Sequence, residues 1–187
     1  MTTDRTEASY LLAGFDPTPT DPVRGTLTIA DYAARVGSEF AVSDWVTIDQ
    51  PRVTLFGMVT EHRHWLHLDP ERARRDSAYG GTLAHGFLVT SLLSFFMDNV
   101  RMRPADAAFG LNYGFDRVRY LAPLVVGDNV RIRDRISILA ADWHPGGRLM
   151  VKTGNRFEQE GQDDPIAYAE WLILWVPEDT PQATDNQ

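Results

Sequence analysis

The sequence predicts an α+β fold, an antiparallel sheet covered on one face by a long helix. Three observations predict it. Four segments after Pro104 carry the β-branched, aromatic and alternating character of strands, separated by Gly- and Pro-containing turns. One stretch, residues 82–100 (TLAHGFLVTSLLSFFMDNV), is apolar nearly all round, as a buried helix is. Shorter strand and helix signals precede it, which separates the two element types along the chain as α+β folds do.

Taken in order, residues 1–25 contain FDPTPTDP, and Pro17, Pro19 and Pro22 break any regular element. We read 1–25 as a flexible tail, 26–178 as a single domain and 179–187 as a C-terminal tail. Thr28–Val36 begins at a capping Thr28 and stops before Gly37, the pattern of a short helix. Glu39–Ile48 reads as a strand. Asp49 can cap a second helix with Pro51 in its first turn. Residues 61–81 read as a loop rich in His and Asp, and the apolar helix 82–100 follows. Strands are predicted at Leu111–Tyr120, around Val130–Ile138, at Leu149–Phe157 and at Ile166–Val176. Turns fall at Gly127-Asp128, Pro145-Gly146-Gly147 and Gly161 to Pro165.

The 187 residues suit one hydrophobic core, and 43% hydrophobic with 24% charged residues excludes disorder throughout. The net charge of −8 argues against nucleic-acid binding. Cysteine is absent, which excludes disulfides, Cys-ligated zinc, iron–sulfur clusters and thiol nucleophiles together. No secretory signal or anchor is visible, since Met1–Asp21 is polar apart from the short YLLAGF run. The 82–100 stretch contains His85, Thr90, Ser91, Ser94 and Asp98, against a membrane span. A cytoplasmic, soluble protein is expected.

Two stretches carry chemistry. One is EHRHWLHLDP (61–70), the other GGTLAHGFL (80–88), and four of the five histidines fall between 62 and 85. His62, His64 and His67 could ligate a metal, with Asp69 nearby. Their spacing matches no specific metal motif, and in an extended segment His67 would face away from the other two. Histidines on a wet loop are the preferred reading of that pair, and no metal or cofactor is expected. Acid–base chemistry needs less, because imidazole gives and takes protons near neutrality. Gly80, Gly81 and Gly86 allow close approach to the backbone, and free N–H groups opening a helix can stabilise an anionic oxygen. A histidine beside such donors suggests chemistry at the α-carbon of a carbonyl compound. The plain alternative is that Gly80-Gly81 is only a turn and His85 a satisfied core histidine.

HLDPERA (67–73) followed by GGTLAHGFL (80–88) resembles the MaoC-like, or (R)-specific enoyl-CoA hydratase, family. VSDWVTI (42–48) and NYGFDRVRYLAPLVVGDNVR (112–131) match its nodulation protein N-like branch. The resemblance covers residues 27 to 176 and implies a hot-dog fold, an antiparallel sheet wrapped around a long central helix, working as a homodimer. It also implies a hydro-lyase that interconverts 2-enoyl and (3R)-hydroxyacyl thioesters. An Asp and a His in the pattern D-x-x-x-x-H would activate water, with a glycine N–H on the thioester oxygen and a helix serine in support. Those roles fall on His67, Gly86 and Ser94. The Asp position falls on His62, which is the main departure; Glu61 is adjacent but out of phase.

A His62/His67 pair can divide acid and base roles if one ring becomes charged. Three readings follow: a hydratase or dehydratase with altered pH dependence, another proton-transfer lyase or isomerase on a non-CoA substrate, or an inactive small-molecule binder. The first is preferred. Substrate-binding candidates are His64, Trp65, Gly81, His85, Arg117 and Arg119. Alternating arginines at 131–135 are read as a solvated strand face, Trp65 as packing beside the site, and Asp69 as a structural acceptor.

Overall fold

A computed structural model describes residue 21 and residues 23–179. The flexible tails expected at 1–25 and 179–187 therefore lie almost wholly outside the described residues. Arg24 and Gly25 do not behave as tail. The Gly25 N–H donates to the Arg103 carbonyl (2.7 Å), and Arg24 pairs with Glu178 (2.5 Å). A Cβ at Gly25 would lie 2.3 Å from the Arg101 carbonyl oxygen, so only glycine fits that contact.

Helix α1 (Ile29–Ala33) starts from Thr28, whose hydroxyl and the Asp31 carboxylate form a reciprocal capping box. It buries Ile29 and Tyr32, and the Tyr32 hydroxyl donates to the Met102 carbonyl. The predicted strand 39–48 is two strands, β1 (Glu39–Val42) and β2 (Val46–Thr47). The break is made by Ser43, which exchanges hydrogen bonds with the Asp134 backbone: its N–H donates to that carbonyl and its hydroxyl accepts from that N–H, both 2.9 Å.

Helix α2 (Gln50–Val59) is capped by Asp49, whose carboxylate accepts from the Arg52 N–H at 3.0 Å, with Pro51 in the first turn. Residues 61–81 are more ordered than a loop. His64 caps the one-turn helix α3 (Trp65–Leu68), and Asp69 caps α4 (Pro70–Asp76) by accepting from the Arg72 N–H at 2.9 Å.

The long apolar helix starts four residues later than its hydrophobicity suggests and is interrupted. Thr82–Ala84 bridge instead to 124–126: Ala84 N–H donates to Leu124 O and Val126 N–H to Thr82 O, both 2.8 Å. Helix α5 (Gly86–Ser91) follows, then α6 (Leu93–Asn99), with a tightened turn at Leu92. Side-chain hydroxyls loosen the ladder there. Ser91 Oγ donates to Leu88 O (2.7 Å) and Thr90 Oγ1 to Phe87 O (3.2 Å), competing with backbone N–H groups.

Four long strands complete the fold: β3 (Ala107–Tyr120), β4 (Arg131–His144), β5 (Arg148–Gln159) and β6 (Ala167–Pro177). All pairings are antiparallel in the order β1-β4-β5-β6-β3, with β2 also on β4. On β4 the inward row is Ile132, Asp134, Ile136 and Ile138, all buried. The outward Arg131, Arg133 and Arg135 are taken by Glu160 and Glu158 at 2.6–2.8 Å. Leu88, Val89, Leu92, Leu93 and Phe96 of the two-part helix join Phe157, Trp171, Ile173 and Trp175 of the sheet in one core. This is the hot-dog arrangement, with a kinked rather than continuous central helix. Among the described residues, no helix is long and apolar enough to cross a membrane.

Candidate active site

The backbone brings distant histidines together in three steps. Thr60 ends α2, and Glu61, in the left-handed region (φ 57°), reverses the chain to present His62. The turn of α3 then carries His67. The 82–84 bridge delivers His85 in extended conformation at the start of α5. Leu83 binds both sides of this junction, its N–H donating to Leu66 O (3.0 Å) and its carbonyl lying 2.7 Å from His67 Nδ1.

The resulting cluster is His62, His67 and His85. The His67 and His85 rings stack at 3.8 Å, and His62 stands 5.3 Å from His67 and 5.4 Å from His85, centroid to centroid. His85 is buried, with Phe56 packed 5.2 Å from its ring. Its Nε2 lies 3.3 Å from the His62 carbonyl oxygen, while its Nδ1 has no hydrogen-bond partner among the described residues. Burial pushes His67 below the usual histidine range; the Leu83 carbonyl opposes this, and the His62 and His64 rings add to it. Burial does the same to His85, opposed by the His62 carbonyl and reinforced by His67 and His62.

His62, His85 and Gly86 line one cavity of about 380 Å³ with Phe56, Thr60 and Phe87. Gly86 also borders a second, of about 320 Å³, with Tyr120, Leu121 and Ile166 among its walls. The close approach that Gly86 permits is made by Tyr120: a Cβ there would come within 2.8 Å of the Tyr120 ring. As the first residue of α5, Gly86 has an N–H without an intrahelical acceptor.

The other expected site residues stand at the rim of the cluster or away from it. His64 is at the rim of the cluster, its ring 6.3 Å from His62 and 6.2 Å from His67, exposed and with its Nδ1 accepting from the Leu66 N–H at 3.3 Å as a helix cap. Trp65 carries the Arg72 guanidinium 4.6 Å over its ring. Gly81 borders a separate cavity with Gln50, Arg74 and Asp128. Ser94, on α6, opens onto another with Ser91, Asn112 and Trp171, which contains none of the three histidines. Arg117 and Arg119 are exposed on the edge strand β3, where Arg117 stands opposite Glu170 and Arg119 donates to Val118 O at 2.7 Å.

Sequence reasoning missed Gly57 and Gln50. Gln50 Nε2 donates to His67 O (2.8 Å), and its amide oxygen accepts from Thr82 Oγ1 (2.5 Å), so it ties both site segments to α2. A Cβ at Gly57 would lie 3.2 Å from His62 O and 3.3 Å from His85 Cε1. Glycine inside a helix pattern was the available signal for Gly57; nothing local marks Gln50. Around the cluster the adjacent carboxylate, Glu61, is held by Arg63 at 2.7 Å.

A family model described as the MaoC like domain matches residues 31–137. Nodulation protein N of Rhizobium leguminosarum bv. viciae is 35% identical over 158 residues, 83% of this chain and 97% of that protein. The 3-hydroxyacyl-thioester dehydratase Z of Mycobacterium tuberculosis (strain H37Rv) is 34% identical over 149 residues, 80% of this chain and 96% of that protein. Among solved structures, the unliganded R-hydratase PhaJ1 of Pseudomonas aeruginosa is similar with a TM-score of 0.64 at 22% identity, covering 82% of this chain and 88% of that one.

Proposed function

This chain belongs to the MaoC-like domain family, and on that premise we propose that it is a hydro-lyase acting on a thioester, hydrating a 2-enoyl or dehydrating a 3-hydroxyacyl group. One observation carries the reading. The Leu83 carbonyl 2.7 Å from His67 Nδ1 accepts that nitrogen's proton, which leaves the lone pair on Nε2. A half-buried imidazole held neutral and in one tautomer is a poised base.

In the hydration direction, His67 Nε2 takes a proton from water as the water oxygen bonds to the β-carbon. The C=C electron pair moves toward the thioester carbonyl, and the Gly86 N–H is the donor for that oxygen. The proton then returns to the α-carbon, leaving the 3-hydroxyacyl product and neutral His67. His62 orients the water by hydrogen bonding. It supplies no fixed negative charge, so the imidazolium formed on His67 is less stabilised than beside an aspartate. The 34% identical 3-hydroxyacyl-thioester dehydratase Z supports the thioester class.

The chain works as a homodimer in this reading. Support comes from β3, an edge strand that exposes Phe109, Leu111, Tyr113 and Phe115.

The test is loss of conjugated-thioester absorbance with crotonyl-CoA and longer enoyl-CoAs. We expect hydration in the natural protein and a fall of roughly 10²–10⁴-fold in His67→Ala. Activity absent from the natural protein but present in His62→Asp would overturn the thioester hydro-lyase assignment and mark a scaffold redirected to another substrate. Inactivity of both would favour a binder.

A further inference from the structure

The histidine cluster has a second chemical capacity, which draws on the same His67 Nε2 lone pair as acid–base catalysis. His62, His67 and His85 each offer one ring nitrogen, and the three nitrogens lie within 4.8 Å of one another. Two of the rings already have one nitrogen engaged by a backbone carbonyl. His67 Nδ1 faces Leu83 O at 2.7 Å, and His85 Nε2 faces His62 O at 3.3 Å. Metal-binding imidazoles take this arrangement, the carbonyl fixing the tautomer so that the other nitrogen presents its lone pair. On His85 that other nitrogen, Nδ1, is buried and has no partner among the described residues, in a residue only 4% exposed. An unpaired buried acceptor is costly, and a Lewis acid would relieve it.

The set is all nitrogen, which favours a borderline ion over Ca²⁺ or Mg²⁺. It also differs from the H-x-H-x-x-H run visible in the sequence. His64 is the helix cap and stays out, while His85, from a different segment, comes in. Tetrahedral zinc needs its nitrogens ~3.3 Å apart. His62 is exposed on a reversing loop, so binding requires that it turn inward and that the stacked His67 and His85 rings shift until their lone pairs converge. The cavity of about 380 Å³ beside His62 and His85 leaves room for a water in the fourth position.

We propose that His62, His67 and His85 bind one divalent transition ion of the zinc class through three imidazole nitrogens, with a cavity water completing a tetrahedral site. The third imidazole comes from position 62, where the family resemblance puts an aspartate. An ion on His67 Nε2 and the base role of that nitrogen exclude each other while the ion is bound; binding is read without catalysis, so failure of one reading is distinguishable from failure of the other.

The experiment uses the full chain without a polyhistidine tag, stripped with chelator. Zn²⁺ is titrated calorimetrically and Co²⁺ by visible absorption. The expected result is one ion per chain with Kd of about a micromolar or tighter, and with Co²⁺ the intense bands of a four-coordinate ion. His62→Ala, an exposed substitution, should weaken binding by more than about 100-fold. His85→Gln, checked for folding by circular dichroism, should do the same, while His64→Ala and His144→Ala should leave affinity unchanged. No uptake at ~100 μM Zn²⁺ overturns the proposal, as does affinity unchanged in His62→Ala. Binding that survives His85→Gln but is lost in His64→Ala also overturns it, since that would be chelation by the exposed loop.

Discussion

At Gly57 a single missing atom bears on the site. Alanine there improves helix propensity by about 1 kcal/mol. Its Cβ, however, would press on the His62 carbonyl at 3.2 Å and the His85 ring at 3.3 Å. The carbonyl is backbone and yields little, so the histidines must shift. We expect Gly57→Ala to cost roughly tenfold in kcat with little change in Tm, read by the enoyl-CoA assay beside thermal unfolding. Asp134 makes the opposite case, a residue far from the chemistry whose titration governs stability. Burial, and then the neighbouring Glu158, push its carboxyl up to about 8. An unfolded aspartate titrates near 3.9. Between those values the folded state holds a proton that the unfolded state has lost. Stability therefore falls as pH rises, by up to about 1.4 kcal/mol per unit. Asp134→Asn should flatten the Tm profile between pH 5 and 8 and raise Tm at the alkaline end.

Elements were legible where the chain's local pattern and its packing agree. Val130 to Ile138 alternates, and β4 forms there with Ile132, Ile136 and Ile138 inward. Thr28 and Asp49 read as caps and are caps. Thr82–Ala84 is as apolar as the helix after it, yet hydrogen bonds to Leu124 and Val126, some forty residues on, draw it into a bridge. No window around residue 82 contains that partner. The same bridge accounts for the site. H-x-x-x-x-H and A-H-G mark His62, His67 and His85 in the sequence, but their meeting depends on Leu83 joining Leu66 to the start of α5. Tyr32 shows how much one contact between elements carries. Its buried hydroxyl donates to the Met102 carbonyl, fastening α1 to the segment after α6. Tyr32→Phe leaves that carbonyl unsatisfied, and we expect a loss of about 1–3 kcal/mol in urea unfolding with the slope unchanged.

For the whole molecule, the edge strand β3 is the least finished surface. Tyr113 is 64% exposed at a bulge of this strand, and an unpaired edge with exposed aromatic side chains is a template for pairing. Tyr113→Lys should convert a dimer to monomer in sedimentation velocity while leaving the far-ultraviolet dichroism intact. A natural protein that sediments as a monomer would sink the dimer. At the opposite extreme of finish are the two limits of the described residues. Arg24 grips Glu178, Gly25 docks on Arg103, and the Glu178 N–H reaches the Asp106 carbonyl. Residues 24–25 and 178 thus meet over one short segment, so the described part of the polypeptide closes into a ring in all but covalent bonding. Where such a ring is cut is a matter of gene order; the packing of sheet on helix is indifferent to it.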